Sequence, residues 1–489
     1  MQTADVAHES AMIENDAPVA RELRRWTLQL GPVYIARYHL ALAGAWLALG
    51  LVFAWLLRLE LMTPALDLMQ ARTFGTLLSL HGFLLVYFVA LPAFPGIIGH
   101  LVLARWTPGG TLAYPKLARV SWQLLAAGGA LVASFFLLGG TPIGWSFDSE
   151  LNGRFGQPGT ALMASGVLLS AVALFLMGVN TLASLRVIRR TGLPTGGSRV
   201  LAESLRCGSI IGVIVAPLLA VAMVLVLGDA VLGRSVFDAK AGGDPQQFVR
   251  LFRLFFVPAQ GMLLIFGLGV ALSVVADRCR AAVFTRWHLY TFVLLVALSF
   301  GAWGGSASAS VLAGNPLAPV MLAALVFSLV FIVRFLRTGL TRVDTALIYA
   351  FGFFFTAVQG LGAGLLAALP LNGLATTQWA SAQMHLVMMA VLGMALPAGL
   401  HAVWPALTGR SYSEAFGRPF ALLVVVGTQL AFVPLLILGL QGVPFRANSY
   451  LPEFQVWHVL ATAGAGLLVV GMLLSGLNLL IGQRAKAQA

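Results

Sequence analysis

Apolar stretches of about 20 residues, each long enough to cross ~30 Å of hydrocarbon, recur twelve times along this chain. They fall at 38–57, 75–104, 118–140, 160–185, 206–229, 250–276, 284–302, 316–336, 344–368, 378–405, 417–440 and 456–482. Turn residues and charges separate them, at Pro64, Gly109-Gly110, Pro158, Pro194, Gly242-Gly243, Pro316, Pro370 and Pro444. Within hydrocarbon every backbone polar group needs an internal partner, which restricts such runs to helices. The expected fold is therefore all-α: a polytopic membrane protein of twelve transmembrane helices over residues 38–482. A tail of residues 1–37 precedes it and a short tail of residues 483–489 follows it.

Charge agrees with that reading. Only 10% of residues are charged, against roughly a quarter in a soluble domain. The net charge of +13 could suggest nucleic acid, but the cations lie between apolar runs and form no basic face. With the N-terminus placed in the cytoplasm, 22 of the 30 Lys and Arg residues fall in inner loops and tails. The outer set is Arg58, Arg72, Arg154, Arg234, Lys240, Arg250, Arg253 and Arg446. The bias persists along the whole chain and predicts N-in, C-in topology. A bacterial inner membrane is the expected location. The first ~30 residues carry no apolar core, so no cleavable signal is expected. Cys207 and Cys279 belong to no CxxC or CxxCH pattern, which fits two structural thiols better than a metal or covalent haem site.

Ionisable residues inside a span are costly and point to function. His39, His100, His288 and His401 lie near predicted inner ends, and His458 near an outer end; interfacial snorkelling accounts for them. His81 and His385 lie inside spans. Both are about seven residues past the outer start of a span running inward, hence roughly 10 Å below the outer edge. Two neutral imidazoles at one depth on parallel helices suit the two axial positions of an embedded low-spin haem. The competing reading is two separate histidines satisfied by neighbouring hydroxyls or carbonyls. Gly82, beside His81, is expected to leave room for a macrocycle. A further pair, His100 with His401, would not serve: at ~100° per residue neither helix turns both of its histidines to one seam.

Several segments in order resemble the haem-copper oxidase subunit I family, specifically cytochrome c oxidase subunit I. They are Arg58-Leu59-Glu60-Leu61-Met62-Thr63-Pro64, Leu80-His81-Gly82, Leu91-Pro92-Ala93, Ala113-Tyr114-Pro115-Lys116-Leu117 and Ile143-Gly144-Trp145. Ala241-Gly242-Gly243-Asp244-Pro245, Thr408-Gly409-Arg410 with Glu414, and Gln441-Gly442-Val443-Pro444-Phe445-Arg446 continue the series. Each motif is weak alone; the ordered set, covering nearly everything from residue 38, is specific. The resemblance places His81 and His385 as the axial ligands of a low-spin haem. It places Arg446 at one of two propionate-binding arginine positions, with Phe445 at the other, and Arg58 near the haem's outer substituents. Interfacial anchoring is the simpler account of both arginines, and Glu60 could pair with Arg58. Trp145, Trp379 and Trp457 suit an interfacial belt.

The departures from the family are coordinated. Where it has the high-spin haem ligand, two residues before the second axial histidine, this chain has Gln383. The first copper ligand and its crosslinked tyrosine are replaced by Val257-Pro258-Ala259-Gln260-Gly261, and the later histidine pair by Gly305 and Ser306 after Trp303-Gly304. Ala259 stands for a proton-channel glutamate, the lysine-channel helix around Ser328 has no lysine, and Ala375-Thr376 replaces a metal-binding pair. An amide, Val, Gly and Ser hold neither haem iron nor copper well. The reading is a degenerate subunit I with one low-spin haem, of b or a type, and no copper.

Such a chain would serve as an electron-transfer subunit of a respiratory-type complex, without oxidase activity of its own. Its partners would be other membrane subunits, with a subunit II-like, cytochrome c or cupredoxin partner at the outer face. The alternatives are a non-redox structural or regulatory subunit, an active oxidase or nitric oxide reductase with unusual ligands, and a transporter using the emptied cavity. No quinone site is evident.

Overall fold

The computed structural model describes residues 31–137, 144–146, 158–237, 242–280, 286–301, 318–369 and 373–482. The helices are α1 (Pro32–Glu60), α2 (Ala71–Trp106), α3 (Pro115–Leu137), α4 (Pro158–Thr191), α5 (Gly196–Leu232) and α6 (Pro245–Asp277). They continue with α7 (Arg286–Gly301), α8 (Ala318–Leu336), α9 (Thr345–Ala367), α10 (Gln378–Met388, continued through Met389–Ala395 and Leu396–Thr408), α11 (Glu414–Leu440) and α12 (Gln455–Ile481). Among the described residues the only β-pairings are isolated bridges, Cys279 with Leu340 and Thr377 with Pro444. Nine helices in the described residues are long and apolar enough to cross a membrane. α3, α7 and α8 lie at the predicted spans 118–140, 284–302 and 316–336 but outside that set. The chain is a polytopic helical membrane protein.

Helix starts follow local chemistry. Proline at the first turn, where no N–H is needed, opens α1 at Pro32 and α6 at Pro245, so α1 begins six residues before the apolar run. Asp244 caps α6 by accepting from Gln246 N, and Asp344 caps α9 by accepting from Leu347 N. Gly233 and Gly409 end α5 and α10 in the left-handed region, at φ 63° and 71°, the usual αL stop.

The bundle has an inside and an outside. α6 and α2 are the most enclosed, 94% and 83% buried across their apolar windows, while α1 is 22% buried. Small residues bring helices close, as expected where lipid supplies no competing hydrophobic drive. A Cβ on Gly427 of α11 would strike the Leu468 backbone of α12, and one on Gly166 of α4 would meet the Gly128 carbonyl of α3 at 2.6 Å.

Two helices depart from α geometry. α2 widens into π turns at Leu84–Ala90 and Phe94–Gly99, and α10 does so at Met389–Ala395. Prolines account for this: Pro92, Pro95 and Pro397 lack the N–H that an α-helix gives to the carbonyl four residues back, and a wider turn re-pairs the freed groups. The first π turn of α2 starts three residues after His81, and that of α10 four residues after His385. An angular count at a uniform 100° per residue therefore does not hold beyond either histidine.

Candidate functional site

His81 lies on the α-helical part of α2, and His385 on the corresponding part of α10. Their ring centroids are 6.1 Å apart and their planes within 12° of parallel. His81 Nδ1 donates to the carbonyl of Gly50 on α1 at 3.0 Å; His385 Nδ1 donates to the carbonyl of Ser381, one turn back, at 2.7 Å. A carbonyl can only accept, so Nδ1 carries the proton on both rings and Nε2 is left with its lone pair. This is how metal-binding histidines are oriented. Phe432 of α11 lies along His385 at 4.9 Å and 20°. The structure thus brings the two sequence-singled histidines together, from helices far apart in the chain.

The spacing of the pair can be set against that of two imidazoles sharing one atom. Two imidazoles on opposite sides of one atom, with bonds of ~2 Å and ~1.1 Å from nitrogen to ring centre, place their centroids about 6.2 Å apart. The observed 6.1 Å matches. Packed rings also meet at centroid separations of about 4.5–7 Å, so what suits the pair to a metal is that both Nδ1 protons are committed to carbonyls and both Nε2 lone pairs are left available.

Arg58 lies on α1 and reaches α12: Nη2 donates to the His458 carbonyl at 2.7 Å and to Thr462 Oγ1 at 3.1 Å. Glu60 is not its partner. It is fully buried and instead accepts from Asp67 N at 2.6 Å and Leu68 N at 3.0 Å, closing the loop after α1. Arg446 lies in the loop before α12 at φ 61°, the one positive φ among the described non-glycine residues. Its guanidinium covers the Phe445 ring at 4.8 Å. That loop is tied to the start of α10, where Gln378 N donates to the Val443 carbonyl and Phe445 N to the Thr376 carbonyl. Arg446 is thereby held at the end of the helix that carries His385.

Several expectations need correction. Gly82 leaves space for Trp145, whose indole would lie 2.5 Å from an added Cβ, and not for a macrocycle. Trp145 and Trp379 are 6% exposed, so neither is a belt residue; Tyr87 Oη donates to the Trp145 carbonyl, and Trp379 Nε1 to the Ala363 carbonyl. Trp457 is part-buried against a core cluster. His39, His100, His401 and His458 are at most 2% exposed, so none of them snorkels. His100 meets His39, while His401 meets Tyr349 and Tyr412. Pro92, Pro95 and Pro397, and the phenylalanines of α6, are the sequence features that accompany this packing.

The substituted positions cluster on enclosed structure. Val257, Ala259 and Gly261 are buried in α6, next to Phe248, Phe252, Phe255 and Phe256, and Gln383 is part-buried on α10. Phe237, Phe248, Phe252, Phe256 and Trp145 form a continuous aromatic series with centroid steps of 5.5, 5.7, 5.8 and 5.1 Å. Gly305 and Ser306 lie outside the described residues.

Fold and site define an integral-membrane helical bundle with an imidazole pair in its interior. The chain belongs to the family "Cytochrome C and Quinol oxidase polypeptide I", whose sequence model matches residues 34–467. It is 27% identical to cytochrome c oxidase subunit 1 of a Synechocystis species over 432 residues, 85% of this chain and 77% of that one. It is 24% identical to cytochrome c oxidase subunit 1 of Cereibacter sphaeroides over 483 residues, covering 90% and 85%. Its fold matches that in a cryo-EM structure of a heme-copper terminal oxidase dimer, with TM-score 0.77 at 14% identity, covering 94% of this chain and 85% of that one.

Proposed function

We propose that this chain is a membrane electron-transfer subunit that holds one low-spin haem between His81 and His385 and has no oxygen-reducing centre of its own. The observation carrying this reading is the 6.1 Å, 12° relation of two rings whose Nδ1 atoms are both committed to carbonyls. The bundle is read as twelve crossings in a bacterial inner membrane, with both termini cytoplasmic.

Held by both imidazoles, a haem would supply one-electron transfer, and His81 and His385 would leave oxygen no place to bind. The chain's residues then have defined tasks. His81 and His385 present Nε2 in fixed orientation, backed by the Gly50 and Ser381 carbonyls. Phe432 lies along the His385 ring and holds it in place. Arg446, anchored over the start of α10, supplies a cation for a carboxylate at the outer edge. Arg58 supplies a second cation, its orientation set by Thr462 and the His458 carbonyl.

With Val257, Gln383, Gly305 and Ser306 in place of the family's histidines, this chain offers no imidazole at the positions where the family is expected to bind its second haem and the copper beside it. The outer placement of the pair implies a redox partner there: a cytochrome c or cupredoxin domain, or a subunit II-like membrane partner.

Optical spectroscopy of the purified chain tests this. A dithionite-reduced low-spin spectrum, with one haem per chain and no change on adding carbon monoxide, is the expected result. A carbon monoxide-sensitive spectrum would show an open iron position and overturn it.

A further inference from the structure

Three rings in the bundle share nearly one orientation. His81 and His385 lie within 12° of parallel at 6.1 Å, and Phe432 of α11 lies within 20° of His385 at 4.9 Å. Aromatic side chains commonly pack at such distances, so the contact by itself assigns nothing. What the hydrogen bonds leave free gives it a role.

The His81 ring is bonded at Nδ1 to the Gly50 carbonyl of a neighbouring helix. The His385 ring is bonded within its own helix, to the Ser381 carbonyl four residues back. An N–H···O bond tolerates tens of degrees of misalignment before it weakens steeply. One such bond directs the Nδ1 edge of the ring but leaves its plane loosely set. A flat face laid along the imidazole sets the plane, because turning either ring drives its edge into the other. Phe432 is itself seated: it packs against the cluster of Ala382 on α10, Leu435 and Leu438 on α11, Val443 in the following loop and Ala461 on α12. Three parts of the chain thus hold the surface against which His385 lies.

We infer that Phe432 is a positioning residue that fixes the plane of the His385 imidazole parallel to that of His81, and thereby sets the electronic state of the iron the two rings would hold. This rests on the His81–His385 reading above. In a ferric low-spin haem the odd electron occupies one of two iron orbitals that differ in which axial-ligand plane they overlap. Parallel imidazole planes separate those orbitals and give a rhombic electron paramagnetic resonance signal. Crossed planes leave them nearly equal and give a signal dominated by one high g value. Groups beyond the axial ligands orient them and tune the metal. A ring held in one plane also need not turn when the iron gains or loses an electron, which suits rapid exchange.

The test is electron paramagnetic resonance of the oxidised, purified full-length chain, beside Phe432→Leu and Phe432→Tyr. Leu keeps apolar bulk but has no flat face; Tyr keeps the face. The parent and Phe432→Tyr are expected to give one rhombic signal. Phe432→Leu is expected to keep the parent's haem-to-protein ratio and low-spin optical spectrum, yet lose most of the rhombic amplitude to a broader signal at higher g. A crossed-plane signal in the parent would overturn the inference without any variant. A rhombic signal unchanged in Phe432→Leu would also overturn it, and so would Phe432→Tyr altered as much as Phe432→Leu. Each of those results leaves the haem assignment standing. A parent chain without low-spin haem would sink both.

Discussion

His81 is oriented by a carbonyl of a different helix, Gly50 of α1 at 3.0 Å, whereas His385 is oriented by its own helix through Ser381 at 2.7 Å. The two imidazoles are therefore unequal. One is set by secondary structure alone, and the other depends on how α1 packs against α2.

Gly50→Ala probes that dependence. Its new Cβ would lie 2.8 Å from Leu85 Cδ2 and 3.1 Å from Leu85 Cγ, so the α1–α2 contact beside the carbonyl under His81 must readjust. Loss of an orienting partner costs about 10–100-fold in metal affinity. Haem retention during purification is expected to fall, measured as the haem-to-protein ratio.

Removing either ring is a more direct probe. His81→Gly and His385→Gly are expected to reduce bound haem to a small fraction of the parent's, and free imidazole is expected to restore part of the low-spin spectrum. Undiminished haem in either variant would refute the assignment.

Gln383→His restores one ligand type beside a packed neighbourhood. Val257 stays 6% exposed and Phe252 and Phe255 remain fully buried in α6, and no copper ligands return at these positions. The variant is expected to keep a single haem and an unchanged carbon monoxide difference spectrum.

Between the end of α6 and the start of α9, Arg278 and Asp344 form a buried ion pair at 2.9 Å, with side chains 4% and 9% exposed, and Asp344 also caps α9. Breaking such a pair leaves a buried charge and costs about 3–5 kcal/mol. Asp344→Asn and Arg278→Met are expected to lower the thermal midpoint in detergent. The double variant Arg278→Met with Asp344→Asn is expected to fall by less than the sum, because no unpaired charge remains.

In the loop before α12, burial raises the Tyr450 hydroxyl above its ordinary 10.0. Its oxygen donates to the Leu61 carbonyl at 2.9 Å and its ring lies on His458 at 4.0 Å. The folded state holds this proton more tightly than the unfolded state does. Its contribution is complete below pH 10 and is lost as pH rises through the raised value. Tyr450→Phe is expected to flatten the alkaline fall in thermal midpoint above pH 10.

Much was legible in the chain itself. The helices recur at the apolar runs because length and hydropathy are local properties, and in hydrocarbon a run that long has only one way to satisfy its backbone. His81 and His385 stood out because an ionisable group inside a span is costly. Which histidines meet is another matter: position in the chain puts His39 and His100 near span ends, yet they are buried against each other. Glu60 ties down a loop and Trp145 fills the space beside Gly82, neither of which a local pattern indicates. The reason is physical. Lipid is as apolar as a neighbouring helix, so hydropathy cannot separate a lipid-facing side chain from a buried one. The π turns of α2 and α10 then shift the angular register beyond each proline. Sequence settled that the chain is built of long apolar helices and which polar residues they carry; packing between helices settled which of those residues touch.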